Sequence, residues 1–341
     1  MTSPGSVRHD GYVGRLTSVR RFVAEHRRLF AVLQLLLLAG FFAAVGWAVR
    51  GSFRAAADDL RSANLLLFAV ACVALGGYYL VFVLGWMRIL DDWGIDISYP
   101  AALRAEMVSM LAKYVPGGVW TPAARVVAAR RAGIDDAALV TASMLLEAGI
   151  SAVAGVIVFV VSLTFVGGAD APLVPLIAFG IVVAVLVHPR VFQPLAARIL
   201  RRLGYGGELP PLRRETLALL LVFYAGTWVL GGVALWLLLR AVGAHPDAES
   251  VVFLGGVGAV GAIVAVLFVF APSGLGPREA SMYGLMLAVA TQGQALGATA
   301  LNRVAITLVE VLLLVVGGLL LRGRGDRAET EPEPRLRDAE A

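Results

Sequence analysis

Apolar residues in this chain do not alternate with polar ones. They come in long blocks divided by short arginine-rich stretches, at roughly 29–49, 64–86, 137–166, 171–187, 216–239, 251–271 and 299–321. At ~1.5 Å per helical residue, about 20 residues cross a ~30 Å hydrocarbon core. The pattern therefore predicts membrane-spanning helices. Asp135 and Asp136 open the block at 137–166, where acidic side chains cap free amides and complement the helix dipole. Residues 101–130 and 278–292 are shorter and less apolar, and each adjoins a break: Lys113-Tyr114-Val115-Pro116-Gly117-Gly118-Val119-Trp120 and Ala271-Pro272-Ser273-Gly274-Leu275-Gly276-Pro277-Arg278-Glu279. Proline removes a donor and glycine weakens a helix. Backbone that leaves the helix at membrane depth must line a cavity or be covered by protein. Two such breaks, one in each half of the chain, predict re-entrant or broken helical hairpins and point to a substrate site.

Basic residues orient this scheme. The N-terminal tail, Arg88, Arg104, Arg125, Arg130, Arg131, the loop with Arg190, Arg198, Arg201, Arg202, Arg213 and Arg214, and the tail after Leu321 form one group. Arg50, Arg54, Arg61 and Arg240 form a smaller one, partly balanced by Asp58 and Asp59. The positive-inside rule puts the larger group, and both termini, in the cytoplasm. Arg104 and Arg130 bracket the first break, so 101–130 should enter and return on the cytoplasmic side, and 251–292 should do so from the opposite face. Eight full crossings would also keep both termini inside. The expected fold is all-α: a polytopic bundle of about six full spans plus two oppositely inserted hairpins, an inverted-repeat arrangement. Its parts are a basic cytoplasmic tail (1–28), a membrane domain (29–321) and a disordered cytoplasmic tail (322–341).

Composition agrees: 59% of the 341 residues are hydrophobic and 16% charged, which excludes an ordinary soluble domain. Arg20-Arg21 reads as a positive flank of an uncleaved anchor, not as an export signal. The lone Cys72 forms no intrachain disulfide, and the four histidines are scattered without metal-ligand spacing, so no metal and no cofactor are expected. Lys113 is the only lysine among 29 basic residues, and the Ala- and Arg-heavy composition suggests a GC-rich genome.

Charges inside apolar blocks carry more. Glu147 lies on a stripe with Ser143 and Ser151, and Arg303, Thr307 and Glu310 share a face of the last span. A charge at a helix centre costs about 2.5–3.5 kcal/mol, so such residues should pair or face a cavity. The functional reading is a polar cavity where these carboxylates meet Arg125, Arg278 or Arg303; the plainer reading is structural ion pairs. Helices starting after Pro116 and Pro272 should leave free amides at Gly117, Gly118, Gly274 and Gly276, an anion seat with Lys113, Arg125 and Arg278 nearby. A filled helix kink is the alternative. Gly256-Val257-Gly258-Ala259-Val260-Gly261 matches a dinucleotide fingerprint but lies inside an apolar span, where helix packing explains it better. Trp47, Trp86, Trp93, Trp120 and Trp228 suggest an aromatic belt. The basic cytoplasmic surface implies anionic lipid, not nucleic acid.

Lys113 through Trp120, then Arg125, Gly133, Glu147, Pro272-Ser273-Gly274-Leu275-Gly276, Glu279 and Arg303 together resemble the lysylphosphatidylglycerol synthase transmembrane family, the flippase-like region of bacterial multiple peptide resistance factors. The resemblance covers roughly 30–321. It implies movement of modified phospholipids between leaflets of the cell membrane, with synthesis done elsewhere by a soluble domain. No such domain appears in these residues, so a stand-alone, non-enzymatic, flippase-like protein is expected. Its substrate would be a phospholipid or polyprenyl-linked glycolipid with an anionic or modified headgroup. A partner synthase or glycosyltransferase fits the same picture. Substrate-contacting residues would be Lys113, Pro116, Gly117, Gly118, Arg125, Glu147, Pro272, Gly274, Gly276, Arg278, Glu279, Arg303 and Glu310. The alternatives are a membrane-embedded transferase on a lipid-linked substrate and a non-transporting scaffold for a synthase.

Overall fold

A computed structural model describes residues 61–113, 120–164, 181–186, 188–202, 209–268 and 271–328, all within the compact unit Ser52–Ala341. Every regular element among the described residues is helical. These are α1 (Leu65–Asp92), α2 (Tyr99–Ala112), α3 (Trp120–Arg130), α4 (Ala137–Ser162), α5 (Pro189–Arg202), α6 (Arg214–Ala241), α7 (Ser250–Leu267), α8 (Pro277–Met286) and α9 (Gln292–Ala328), with one 3-10 turn at Pro272–Gly274.

Local chemistry sets the helix starts. The Asn64 side chain accepts hydrogen bonds from the Leu66 and Leu67 amides at the head of α1, and Asp136 does the same for Ala138 and Leu139 at α4. The start of α6 is held from outside: Asp92 at the end of α1 accepts bonds from the Arg213 amide and guanidinium and from the Thr216 hydroxyl. At the other end the Asn64 amide donates to the Ala241 carbonyl at 2.8 Å. α1 and α6 are thus antiparallel, tied at both ends.

The two ties give the bundle a Trp93 end and an Asn64 end. α2 and α3 enter from the Trp93 end and return to it. Ala102 and Ala129 pack there with Trp86, Leu90, Ile134 and Val140 in one buried cluster. α7 enters from the Asn64 end. Although its 18 apolar residues are long enough to cross a membrane, the chain turns at Pro272–Gly274 and comes back through α8. It has returned by Gln294, whose amide donates to the Gly243 carbonyl just beyond α6. The described residues thus hold two helical pairs, α2 with α3 and α7 with α8, that enter the bundle from opposite ends as expected, and α7 is by length and composition also a candidate membrane span.

Close helix approach comes from small residues. A Cβ on Gly232 of α6 would collide with the Val251 carbonyl and the Gly255 amide of α7, and one on Gly256 would lie 2.6 Å from the Phe159 Cα of α4. The apparent dinucleotide fingerprint is thus the packing face of α7.

Some boundaries differ from expectation. α9 runs to Ala328, past the expected end at 321. Of the apolar blocks, 29–49 lies outside the described residues, and so does 171–187 except for 181–186, which is helical.

Candidate lipid site between the two hairpins

The hairpins converge beside the middle of α1. α2 brings Met110 and Lys113 from one end, and α8 brings Arg278 and Met282 from the other. With Tyr78, Tyr79 and Phe82 of α1, Trp228 of α6 and Asn302 of α9, they line a cavity of about 210 Å³. Aromatic and aliphatic walls with a few convergent polar groups are the usual build of a site for a small or amphiphilic ligand. Glycines line the back wall: Gly231 of α6 and Gly258 of α7, and Gly255 of α7, where a Cβ would collide with the Trp228 carbonyl of α6.

Three charge networks surround the cavity. The first is buried. The Arg125 guanidinium contacts Glu106 and donates to Glu147 at 2.7 Å, with Arg125, Glu106 and Glu147 only 3%, 3% and 4% exposed. Its face stacks on the Trp86 ring at 4.9 Å, and its Nε donates to the Ser109 hydroxyl at 3.3 Å. Tyr224 donates to the other Glu147 oxygen, also at 3.3 Å. Gly85 makes this possible, since any Cβ there would strike the Tyr224 ring. The second network joins the ends of α2 and α9. Lys113 pairs with Glu310, which also accepts a 2.6 Å hydrogen bond from Tyr79. The third lies on the α8 side. Glu279 accepts from Arg303 at 3.3 Å through one oxygen and from the Gly276 amide at 2.6 Å through the other. Arg278, whose stem packs on Gly261, has no carboxylate partner among the described residues and faces the cavity.

The structure places most of the expected site residues around this cavity and redistributes their partners. Lys113 and Arg278 line it; Glu310 backs Lys113; Arg125 and Glu147 sit behind the wall; Glu279 and Arg303 pair on the α8 side. Glu310 meets Lys113 and Tyr79, and Arg303, about two turns away along α9, meets Glu279. Thr307 does not share their environment: it is exposed and bonds back to the Arg303 carbonyl.

At the second break, Ser273, Gly274 and Gly276 hold φ of 54°, 64° and 97°. Gly274 folds so tightly onto Ala265 that a Cβ would collide with it. This corrects the expected anion seat. The Gly274 amide donates to the Ala271 carbonyl at 2.9 Å and the Gly276 amide to Glu279. A carboxylate of the chain itself occupies the place reserved for a ligand anion, as helix-start chemistry favours. At this break the bend at Pro272 shapes the tip, and the Arg278 side chain faces the cavity while the Gly274 and Gly276 amides are taken within the chain. Pro116, Gly117 and Gly118 lie outside the described residues, between the ends of α2 and α3.

Two tryptophans also depart from expectation. Trp86 is fully buried against Arg125 and donates to Ser143 at 2.9 Å, and Trp228 lines the cavity and donates to the Ser151 carbonyl. Neither belongs to an interfacial belt. Sequence reading missed Glu106, Tyr79, Tyr224 and Asn302. For Glu106 a signal existed: Glu106, Met110 and Lys113 recur at i, i+4 and i+7, one face of a helix.

Comparison with individual curated proteins gives no match. A protein-family match covers residues 31–314, which includes both hairpins and every residue that lines the cavity. The chain belongs to the family described as the lysylphosphatidylglycerol synthase TM region.

Proposed function

We propose that this protein binds the headgroup of an anionic or modified membrane lipid in the cavity between its hairpins and moves that lipid between leaflets. Family membership supports a multi-pass membrane protein concerned with lipids. The observation that carries the finer reading is the meeting of Lys113 and Arg278, one from each hairpin, in a cavity whose other walls are aromatic and aliphatic apart from Asn302. A phosphate would sit between the two cations, while Tyr78, Phe82 and Trp228 accept the apolar part. Hairpins entering from opposite ends give the cavity two potential exits, which alternating access requires. We place the protein in the plasma membrane with both termini cytoplasmic, from the arginine distribution. The same distribution leaves a basic surface for a partner synthase or glycosyltransferase.

The test is reconstitution of the full chain into liposomes carrying a fluorescent anionic phospholipid, with leaflet exchange read by quenching. Lys113→Ala and Arg278→Ala should each slow exchange about tenfold or more, the loss expected for a charge-assisted contact of ~1.5–3 kcal/mol. Exchange no faster than in protein-free liposomes would overturn the translocator reading. Formation of a new lipid species on adding a group donor would favour a transferase, with a buried carboxylate as base.

A further inference from the structure

Glu106 and Glu147 approach Arg125 from two helices, and all three side chains are buried. Among the described residues the group is faced from α1 by Trp86, from α2 by Ser109 and from α6 by Tyr224, all neutral, and Tyr78 of α1 lies near both carboxylates. Lys113, two helical turns beyond Glu106, is engaged by Glu310, and Arg278 lies across the cavity. With both glutamates ionised, the cluster holds two negative charges against one positive. An uncompensated charge buried among helices costs several kcal/mol, and two carboxylates sharing one site avoid it by keeping a proton. Among the described residues Glu106 Oε2 touches the Arg125 guanidinium and takes no further hydrogen bond, so no neutral donor there offsets the second negative charge.

The cluster also has a definite relation to the cavity. On α1, Phe82 lines the cavity and Trp86 stacks on Arg125. On α2, Met110 lines it and Glu106 pairs with Arg125. On α6, Trp228 lines it and Tyr224 bonds Glu147. On three helices, then, the cluster lies four residues, or ~6 Å, from the cavity wall.

We propose that Glu106, Arg125 and Glu147 form a proton-binding site in which the two carboxylates hold one proton between them at neutral pH. The proton comes from bulk water and returns to it, with no other group changed. If the cavity takes an anionic headgroup, as proposed above, the proton and the headgroup assist each other's binding. Loss of the proton leaves a negative charge one turn from the cavity wall and about two turns from Lys113, which holds the anion in that reading, and the effect is reciprocal.

The experiment is infrared difference spectroscopy on the full chain in nanodiscs of phosphatidylcholine, with isotope-labelled glutamate. The carbonyl stretch of one buried neutral carboxylic acid should be present at neutral pH and disappear as the pH is raised. Glu106→Gln and Glu147→Gln should each abolish that same band, because the remaining glutamate then ionises opposite Arg125. Absence of the band from the unaltered protein, or its survival in both variants, would overturn the site. So would its removal by sodium chloride but not by choline chloride, which would identify a metal cation as the ligand. Binding of short-chain phosphatidylglycerol, whose phosphodiester keeps one negative charge over this range, should weaken as the band titrates and become insensitive to pH in either variant. A pH-independent affinity in the unaltered protein would overturn the link between the sites. No binding at any pH would overturn the lipid-headgroup reading, while the infrared result stands by itself.

Discussion

Arg125 illustrates what one side chain does in this interior. It is the meeting point of α1, α2, α3 and α4, through Trp86, Glu106 or Ser109, its own backbone, and Glu147. Removing one partner of a buried ion group leaves the other charges uncompensated, typically at a cost of about 3–5 kcal/mol. Arg125→Met should therefore lower the thermal midpoint in detergent, followed by loss of the monodisperse peak on heating. Adding Glu106→Gln and Glu147→Gln should restore much of it, since neutral partners need no counter-charge. Failure of the triple variant to recover would mean that stacking on Trp86, not charge, makes Arg125 indispensable. Glu310 offers a second comparison. It is 2% exposed and held by Lys113 and Tyr79, but Lys113 lines the cavity and is 26% exposed, so water can solvate it: Glu310→Gln should fold, keep the Tyr79 contact and leave Lys113 altered. We expect slowed lipid exchange with little change in expression, read in the same liposome assay.

Among the elements, α6 and α7 depend on backbone-to-backbone contact. Gly232→Ala would push a methyl into the Val251 carbonyl and the Gly255 amide, neither of which is a flexible side-chain end. Overpacking of this kind costs typically about 1–3 kcal/mol. Gly226, earlier on α6, is different: a methyl there would meet nothing within 4 Å, so Gly226→Ala should be neutral or stabilise by up to ~1 kcal/mol. Thermal midpoints of the two variants should move in opposite directions. Equal destabilisation would show that α6 and α7 are spaced more loosely than these contacts require. The 3-10 turn at Pro272–Gly274 carries a related constraint: Gly274 combines positive φ with contact on Ala265, so any side chain there is both strained and obstructed.

For the whole molecule, the two ties between α1 and α6 sort the basic residues. Arg88, Arg213 and Arg214 stand at the Trp93 end, and Arg61 and Arg240 at the Asn64 end, with Arg240 stacked over Trp236 at 4.7 Å. If the first end is cytoplasmic, Asp247→Cys should react with a membrane-impermeant thiol reagent on intact cells, and Asp96→Cys only after lysis. Both positions are exposed in loops, and Cys72 is replaced first. Ser250, at the start of α7, is too buried to serve as such a probe. The reverse labelling pattern would invert the proposed topology without disturbing the cavity.

The sequence by itself determined the class, the positions of the helices and the presence of two interruptions. These are local matters: hydropathy over about 20 residues, caps such as Asn64 and Asp136, and proline with glycine at a break. It also pointed to charges in apolar helices, because lipid tolerates them poorly. Partners were not legible. Lys113 and Glu310 are 197 residues apart, and Tyr79 and Glu310 are 231 apart; only the crossing of α2 against α9 and of α9 against α1 brings them together. Glu106 was passed over because its segment looked weakly apolar, although tertiary packing buries it beside Arg125. The Gly276 amide is free for an anion on sequence grounds, and the fold sets Glu279 against it. Tertiary structure decided which charge meets which, because an ion pair depends on helix rotation and depth, and neither is written in the periodicity of one helix.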